Sequence, residues 1–139
     1  MAKSFLYRLF GVEKIPAALM SQLQTEGIVL SDEGLKGSII YRDFSAPGKR
    51  FGWKRVGIVA SLALTKARLL ALAGSNPIIN VPLTDERLRA MRFSLKNDET
   101  LCVEFDAGLF QADWSGTIEY RFRTPQAQRF LELWQKQFV

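Results

Sequence analysis

Between Ser45 and Arg55 the chain reads SAPGKRFGWKR, in which Lys49, Arg50, Lys54 and Arg55 are interleaved with Phe51 and Trp53 behind a Pro-Gly turn. Cations at that density attract anions: near an anionic leaflet each exposed one contributes on the order of 1 kcal/mol, so four give a weak, salt-sensitive attraction. The two aromatics could anchor at a membrane interface or stack on a base. The competing reading is a solvated loop whose Phe51 or Trp53 folds back on the core, because runs of charge are commonly just soluble faces. The surplus extends beyond the loop. From Lys36 to Arg68 there are eight cations and one anion, Asp43, a surplus of seven, whereas the rest of the chain sums to −2. A localised excess is what an anion-facing surface needs. Arg42 and Lys66, expected at neighbouring strand ends, complete the candidate rim.

Residues able to do covalent or acid-base chemistry are few. The chain has no histidine and one cysteine, Cys102, which removes Ser-His and Cys-His pairs, every histidine base and the Cys/His zinc sites. PGKRFGWK lacks the GxxxxGK[ST] spacing of a phosphate-cradling loop, and no GxGxxG follows a strand. Cys102, between Leu101 and Val103, reads as a structural core thiol. Asp106 and Asp113 flank AGLFQA and could pair as glycosidase-like carboxylates, although aspartates beside glycine and in DWSG read more readily as turn residues. No enzyme activity, cofactor or metal is expected.

The elements that must position these residues follow from periodicity. Phe5, Leu6, Leu9 and Phe10, then Ile15, Leu19 and Leu23, fall at helical spacing, with Gly27 placed to end the second helix. The first stretch, with Lys3, Arg8 and Lys14, could lie on a membrane surface but reads better as packing on the main domain or on a second copy. After Gly27 the period becomes two. GIVL, GSIIYRDF, KRVGIVASLALT, ARLLALA, PIINVPL, RAMRFSL, TLCVEF and TIEYRFR read as strands separated by SDEG, SAPGKRFGW, GSNP, KNDE and DWSG. Val56, Ile58, Ala60, Leu62 and Leu64 share one face, as do Leu101, Val103 and Phe105, and Ile118, Tyr120 and Phe122. Opposite them Glu104, Glu119, Arg121 and Arg123 are suited to cross-strand ion pairs on a wet face. Thr124 and Pro125 open a last helix whose stripe is Phe130, Leu133, Trp134 and Phe138.

About seven antiparallel strands closed by one Trp-bearing C-terminal helix resemble the pleckstrin-homology superfold with its bacterial and GRAM-type relatives. SLALTKARLLALAGSNPIINVPLTDERL is similar in cadence to their LT-x-x-R-L turn and I-x-x-P-L-x-D strand. YRDFSAPGKR and FDAGLFQADWSGTIEYRFRTP look like landmarks of an uncharacterised bacterial family, a likeness that implies no activity. The resemblance covers roughly residues 26 to 138. It implies a mainly β fold with α, a small antiparallel barrel capped by the helix. It also implies phosphoinositide binding through a K-x-(K/R)-x-R loop between the first two core strands, which Lys49, Arg50, Lys54 and Arg55 match in charge and depart from in spacing.

At 139 residues one main domain is expected, a helical segment over 1–25 preceding a barrel over 26–139. The expected function is non-enzymatic binding of an anionic partner, a lipid headgroup or an acidic protein surface, through Arg42, Lys49, Arg50, Phe51, Trp53, Lys54, Arg55 and Lys66. A self-associating structural domain, with a homo-oligomer built on the N-terminal helices or a strand edge, is the rival. Single-stranded nucleic acid ranks third. One cysteine, no leader-like start and no run approaching the roughly 18 apolar residues of a span point to the cytoplasm, with peripheral attachment to a membrane.

Overall fold

A computed structural model describes residues 15–137, so the first predicted helix and Phe138 lie outside the described residues. Helix α1 (Ala17–Glu26) begins after Pro16 and stops at Gly27, whose φ of 90° and N–H bonds to the carbonyls of Leu23 and Gln24 close the last turn. Seven strands follow: β1 (Ile28–Ala46), β2 (Lys49–Thr65), β3 (Arg68–Ala73), β4 (Asn76–Pro82), β5 (Arg92–Asn97), β6 (Thr100–Asp106) and β7 (Ser115–Arg123), and helix α2 (Ala127–Gln137) ends the chain. They form one antiparallel sheet in the order β4-β3-β2-β1-β7-β6-β5.

That order is open. The expected barrel is therefore corrected to a sheet with β4 and β5 as its edges. Pro77 and Pro82 stand in β4, where each lacks the N–H that a further ladder bond would require. The expected strand content holds with changes of boundary: GIVL and GSIIYRDF are a single strand, and RAMRFSL is strand only from Arg92, after the 3-10 turn Glu86–Ala90. SDEG between them is no turn but a local irregularity, with Gly34 at φ 70° and the Asp32 carboxylate accepting the Glu33 N–H at 3.0 Å. Likewise SAPGKRFGW is not a long loop. The reversal is only Pro47 and Gly48, with Gly48 at φ 79°, and Lys49 to Trp53 are already strand.

Two compact units share the long strands. The first comprises residues up to 36 and 58–85. In it Leu23 of α1 packs with Ile15, Ala63, Leu70 and Leu72, flanked by Leu19, Met20 and Ile28. Its β2 and β3 stretches, Ala60–Thr65 and Leu69–Leu72, are buried along their whole length, as strands covered on both faces are. A polar clamp ties α1 to the β2–β3 turn. The Thr65 hydroxyl donates to Glu26 (2.9 Å) and accepts the N–H groups of Ala67 and Arg68 (3.0 Å each), and Arg68 Nε donates to Glu26 (3.0 Å). Burial of the Glu26 carboxylate raises its pKa, but the Arg68 and Thr65 bonds outweigh that and hold it below its ordinary value.

The second unit comprises 37–57 and residues from 86 on. Its core is the predicted one: Leu101, Val103, Phe105, Ile118, Tyr120 and Phe122 are all buried. Helix α2 lays Ala127, Phe130 and Trp134 against β5 and β6, with the Trp134 ring 4.1 Å from that of Phe93. The period-two pattern of β5 to β7 leaves the opposite face polar, and that face and the β1–β2 hairpin carry the candidate groups.

Candidate functional site

The hairpin tip is stiffened from within by aromatic rings. Phe44 is buried and lies 5.9 Å from Phe51 in a stacked pair, 4.9 Å from Tyr41 edge-on and 5.4 Å from Trp114. Tyr41 and Phe44 are three residues apart, so in a regular strand they would point to opposite faces. Asp43 resolves this. Its φ of 49° is left-handed, an uncommon state for a residue with a Cβ, and it resets the alternation so that both rings share one face. Gly116 of β7 fits into the kink: a Cβ there would stand 2.4 Å from the Asp43 carbonyl oxygen and 2.7 Å from that of Arg42.

Phe51 thus folds back on the core as the solvated-loop reading expects, and Trp53 does not. Trp53 is 63% exposed. Lys49, Arg50, Lys54 and Arg55 are exposed around it, and among the described residues none of them forms an ion pair. Lys54 keeps its ammonium 4.3 Å from the centre of the Phe51 ring, a cation-π contact that leaves the charge accessible. These six residues are adjacent on one strand start behind a tight turn. Lys66 is elsewhere, in the β2–β3 turn of the first unit, with its N–H on the Gly27 carbonyl (3.0 Å) and its alkyl chain over Gly27.

Arg42 is committed differently. Its guanidinium Nη1 lies 2.8 Å from Glu119 Oε1 and 3.5 Å from Glu104 Oε2, on the polar face of the sheet. The register sets Arg92, Glu104 and Glu119 on one rung and Ser94, Cys102 and Arg121 on the next. Arg92 donates to Glu104 Oε1 (2.9 Å), and Arg121 Nε donates to Glu119 Oε2. Of the expected cross-strand pairs among Glu104, Glu119, Arg121 and Arg123, only Arg121–Glu119 forms, and it lies along one strand; the cross-strand partners are Arg92 for Glu104 and Arg42 for both glutamates, and Arg123 makes no ion pair among the described residues. Arg92 is not among the pairs expected from the sequence. The alternation Arg92, Ser94, Lys96 along β5 was the signal that sets it on this face.

Glu119 is only 6% exposed. Burial pushes its pKa up, but the bonds and charges of Arg121 and Arg42 prevail and hold it below its ordinary value. Cys102 is buried beside it, and burial together with the Glu119 charge pushes the thiol pKa up, so the group stays protonated at neutral pH. A thiol so placed is a poor nucleophile. Asp106 and Asp113 are exposed, Asp106 leading into the 3-10 turn Ala107–Leu109. No helix among the described residues is long and apolar enough to cross a membrane. No protein-family model matches the chain, and no curated protein matches it.

Proposed function

We propose that the chain is a non-enzymatic binding module that presents the tip of its β1–β2 hairpin to an anionic membrane surface. One observation carries this reading: an exposed Trp53 stands amid four exposed cations that form no ion pair among the described residues, on a strand whose Phe51 stacks on the buried Phe44 ring. An indole suits the headgroup level of a bilayer, being apolar in body and polar at one end, and lysine and arginine beside it complement anionic lipid. The brace adds to affinity, because a tip already ordered loses little conformational freedom on docking. The order of elements, seven antiparallel strands and a C-terminal helix, supports a pleckstrin-homology-like assignment with an open sheet in place of the barrel, and a cytoplasmic, membrane-peripheral location goes with it.

The test is co-sedimentation of the full chain with phosphatidylserine-containing and purely phosphatidylcholine vesicles across a salt series. At ~1 kcal/mol per cation, neutralising Lys49, Arg50, Lys54 and Arg55 to Gln lowers partitioning by about a thousandfold, reversing them to Glu lowers it further, and Trp53→Ala lowers it at every salt concentration. Wild-type protein that ignores anionic vesicles at low salt, or that binds an oligonucleotide or an acidic protein in their place, overturns the proposal.

A further inference from the structure

The polar face of β5, β6 and β7 carries an open hollow of about 480 Å³, a volume within the usual range for small-molecule sites. Its floor is buried: Cys102 and Glu119 are 7% and 6% exposed. What such a hollow can bind follows from which hydrogen-bonding groups are already taken. All four carboxylate oxygens of Glu104 and Glu119 face guanidinium nitrogens, Oε1 and Oε2 of Glu119 those of Arg42 and Arg121, Oε1 and Oε2 of Glu104 those of Arg92 and Arg42. Each carboxylate already has an arginine beside it, and among the lining residues the three cations Arg92, Lys96 and Arg121 outnumber the two acids, so an entering cation is disfavoured.

The donors are not spent. Arg121 uses Nε on Glu119 while its two terminal nitrogens make no hydrogen bond among the described residues, and neither Lys96 nor the Ser94 hydroxyl is engaged among them. Ser94 and Arg121 sit on the same rung on either side of Cys102, about 5 Å from it in Cβ spacing, so their donors can converge above the thiol. The β5–β6 register shifts between Leu95 and Asn97, and Lys96, at that irregularity, lines the same hollow. The thiol beneath is held neutral and offers an anion no repulsion.

We infer that this hollow is a binding site for a small oxyanion, a carboxylate- or phosphate-bearing molecule, gripped by Arg121, Lys96 and Ser94 over Cys102. It is separate from the hairpin tip and does not depend on what the tip binds. The volume accommodates an organic body as well as the anionic group. Paired arginines suit this role, since each is fixed in direction by its carboxylate while its remaining N–H groups stay free to fork onto an oxyanion.

Cys102 is the sole cysteine and lies in the floor, so it reports occupancy. The full chain is alkylated with uncharged N-ethylmaleimide, and the rate is followed by intact mass with citrate or inorganic phosphate, against potassium chloride of matched ionic strength. Citrate and phosphate should slow alkylation at least fivefold, saturably, where chloride does not. Lys96→Ala and Ser94→Ala, both exposed edge-strand positions, should shift the protecting concentration upward about tenfold when combined, with protection scored against the variant's own unprotected rate, because the Lys96 charge lowers the thiol pKa, and with the circular dichroism unchanged. Protection by citrate but not phosphate narrows the ligand to carboxylates, and the converse to phosphates. Unchanged rates with both anions, equal slowing by chloride, or equal protection of the double variant overturns the site.

Discussion

Replacing Gly116 by alanine tests the contact on which both surfaces depend. The residue has φ 96°, and its added Cβ would lie 2.4 Å from Asp43 O, 2.7 Å from Arg42 O and 2.7 Å from the Asp43 carbonyl carbon. Those neighbours are backbone and cannot rotate away. A left-handed conformation costs a residue with a Cβ about 1–2 kcal/mol, and forcing packed backbone apart costs about 1–3 kcal/mol more. The expected loss is therefore about 3 kcal/mol, or a fall in Tm of about 10 °C for a domain of this size.

Two other glycines separate the contributions. Gly48 has φ 79° with nothing within 4 Å of an added Cβ, so Gly48→Ala pays the conformational cost alone, about 1 kcal/mol. Gly57 has open space and no positive φ, and Gly57→Ala should be neutral or slightly stabilising, by up to ~1 kcal/mol, through the unfolded chain. Urea titration followed by far-ultraviolet circular dichroism ranks the three variants. If Gly116→Ala unfolds at the same midpoint as Gly48→Ala, β7 does not press on the β1 kink and the argument for how Arg42 and Phe44 are aimed is wrong.

Variants at two further positions probe the buried polar groups. Thr65→Val keeps the shape but strands the N–H groups of Ala67 and Arg68 and removes a donor to Glu26, so urea titration should show a loss of about 1–3 kcal/mol, while Thr65→Ser should retain most of the stability. Glu119 has a pKa below its ordinary value of 4.5 in the folded chain, so its contribution is whole above that pH and is lost as pH falls through the lowered value. Glu119→Gln should thus be less stable than wild type at neutral pH, by about 1–3 kcal/mol, and should lose less on acidification below pH 4.5. Its curve stays sloped because Glu26 titrates in the same sense. Parallel stability curves for the two proteins down to acid pH would show that the Arg42 and Arg121 bonds do not favour the ionised carboxyl.

Where side chains alternate without interruption, the sequence was a sufficient guide. Leu101, Val103 and Phe105, and Ile118, Tyr120 and Phe122, are buried as their period requires, and Glu104, Glu119 and Arg121 form ion pairs on the far side. Helix α1 ends at Gly27 for the reason its sequence suggests. Turn residues misled where the chain uses them for irregularity within a strand. Asp32 and Gly34 bend β1 without reversing it, and Gly52 and Trp53 remain in β2, because a single strand partner on each side can absorb a local defect that composition alone cannot distinguish from a turn.

The phase of β1 was the decisive thing hidden from view. By strict alternation Arg42 and Phe44 share a face, and on that basis Arg42 belongs with whatever lies beside the aromatics at the tip. One left-handed residue, Asp43, held by the close approach of Gly116, puts Phe44 on the face of Tyr41 and leaves Arg42 opposite, over Glu119 and Glu104. The same φ angle thereby divides the cations of this region into two populations. Lys49, Arg50, Lys54 and Arg55 stay exposed without an ion pair among the described residues, and Arg42 is paired with Glu119 and Glu104, on a face where arginines outnumber the acids. Charge counted along a sequence cannot show that division, because it is made by the direction of a side chain and not by its position in the chain.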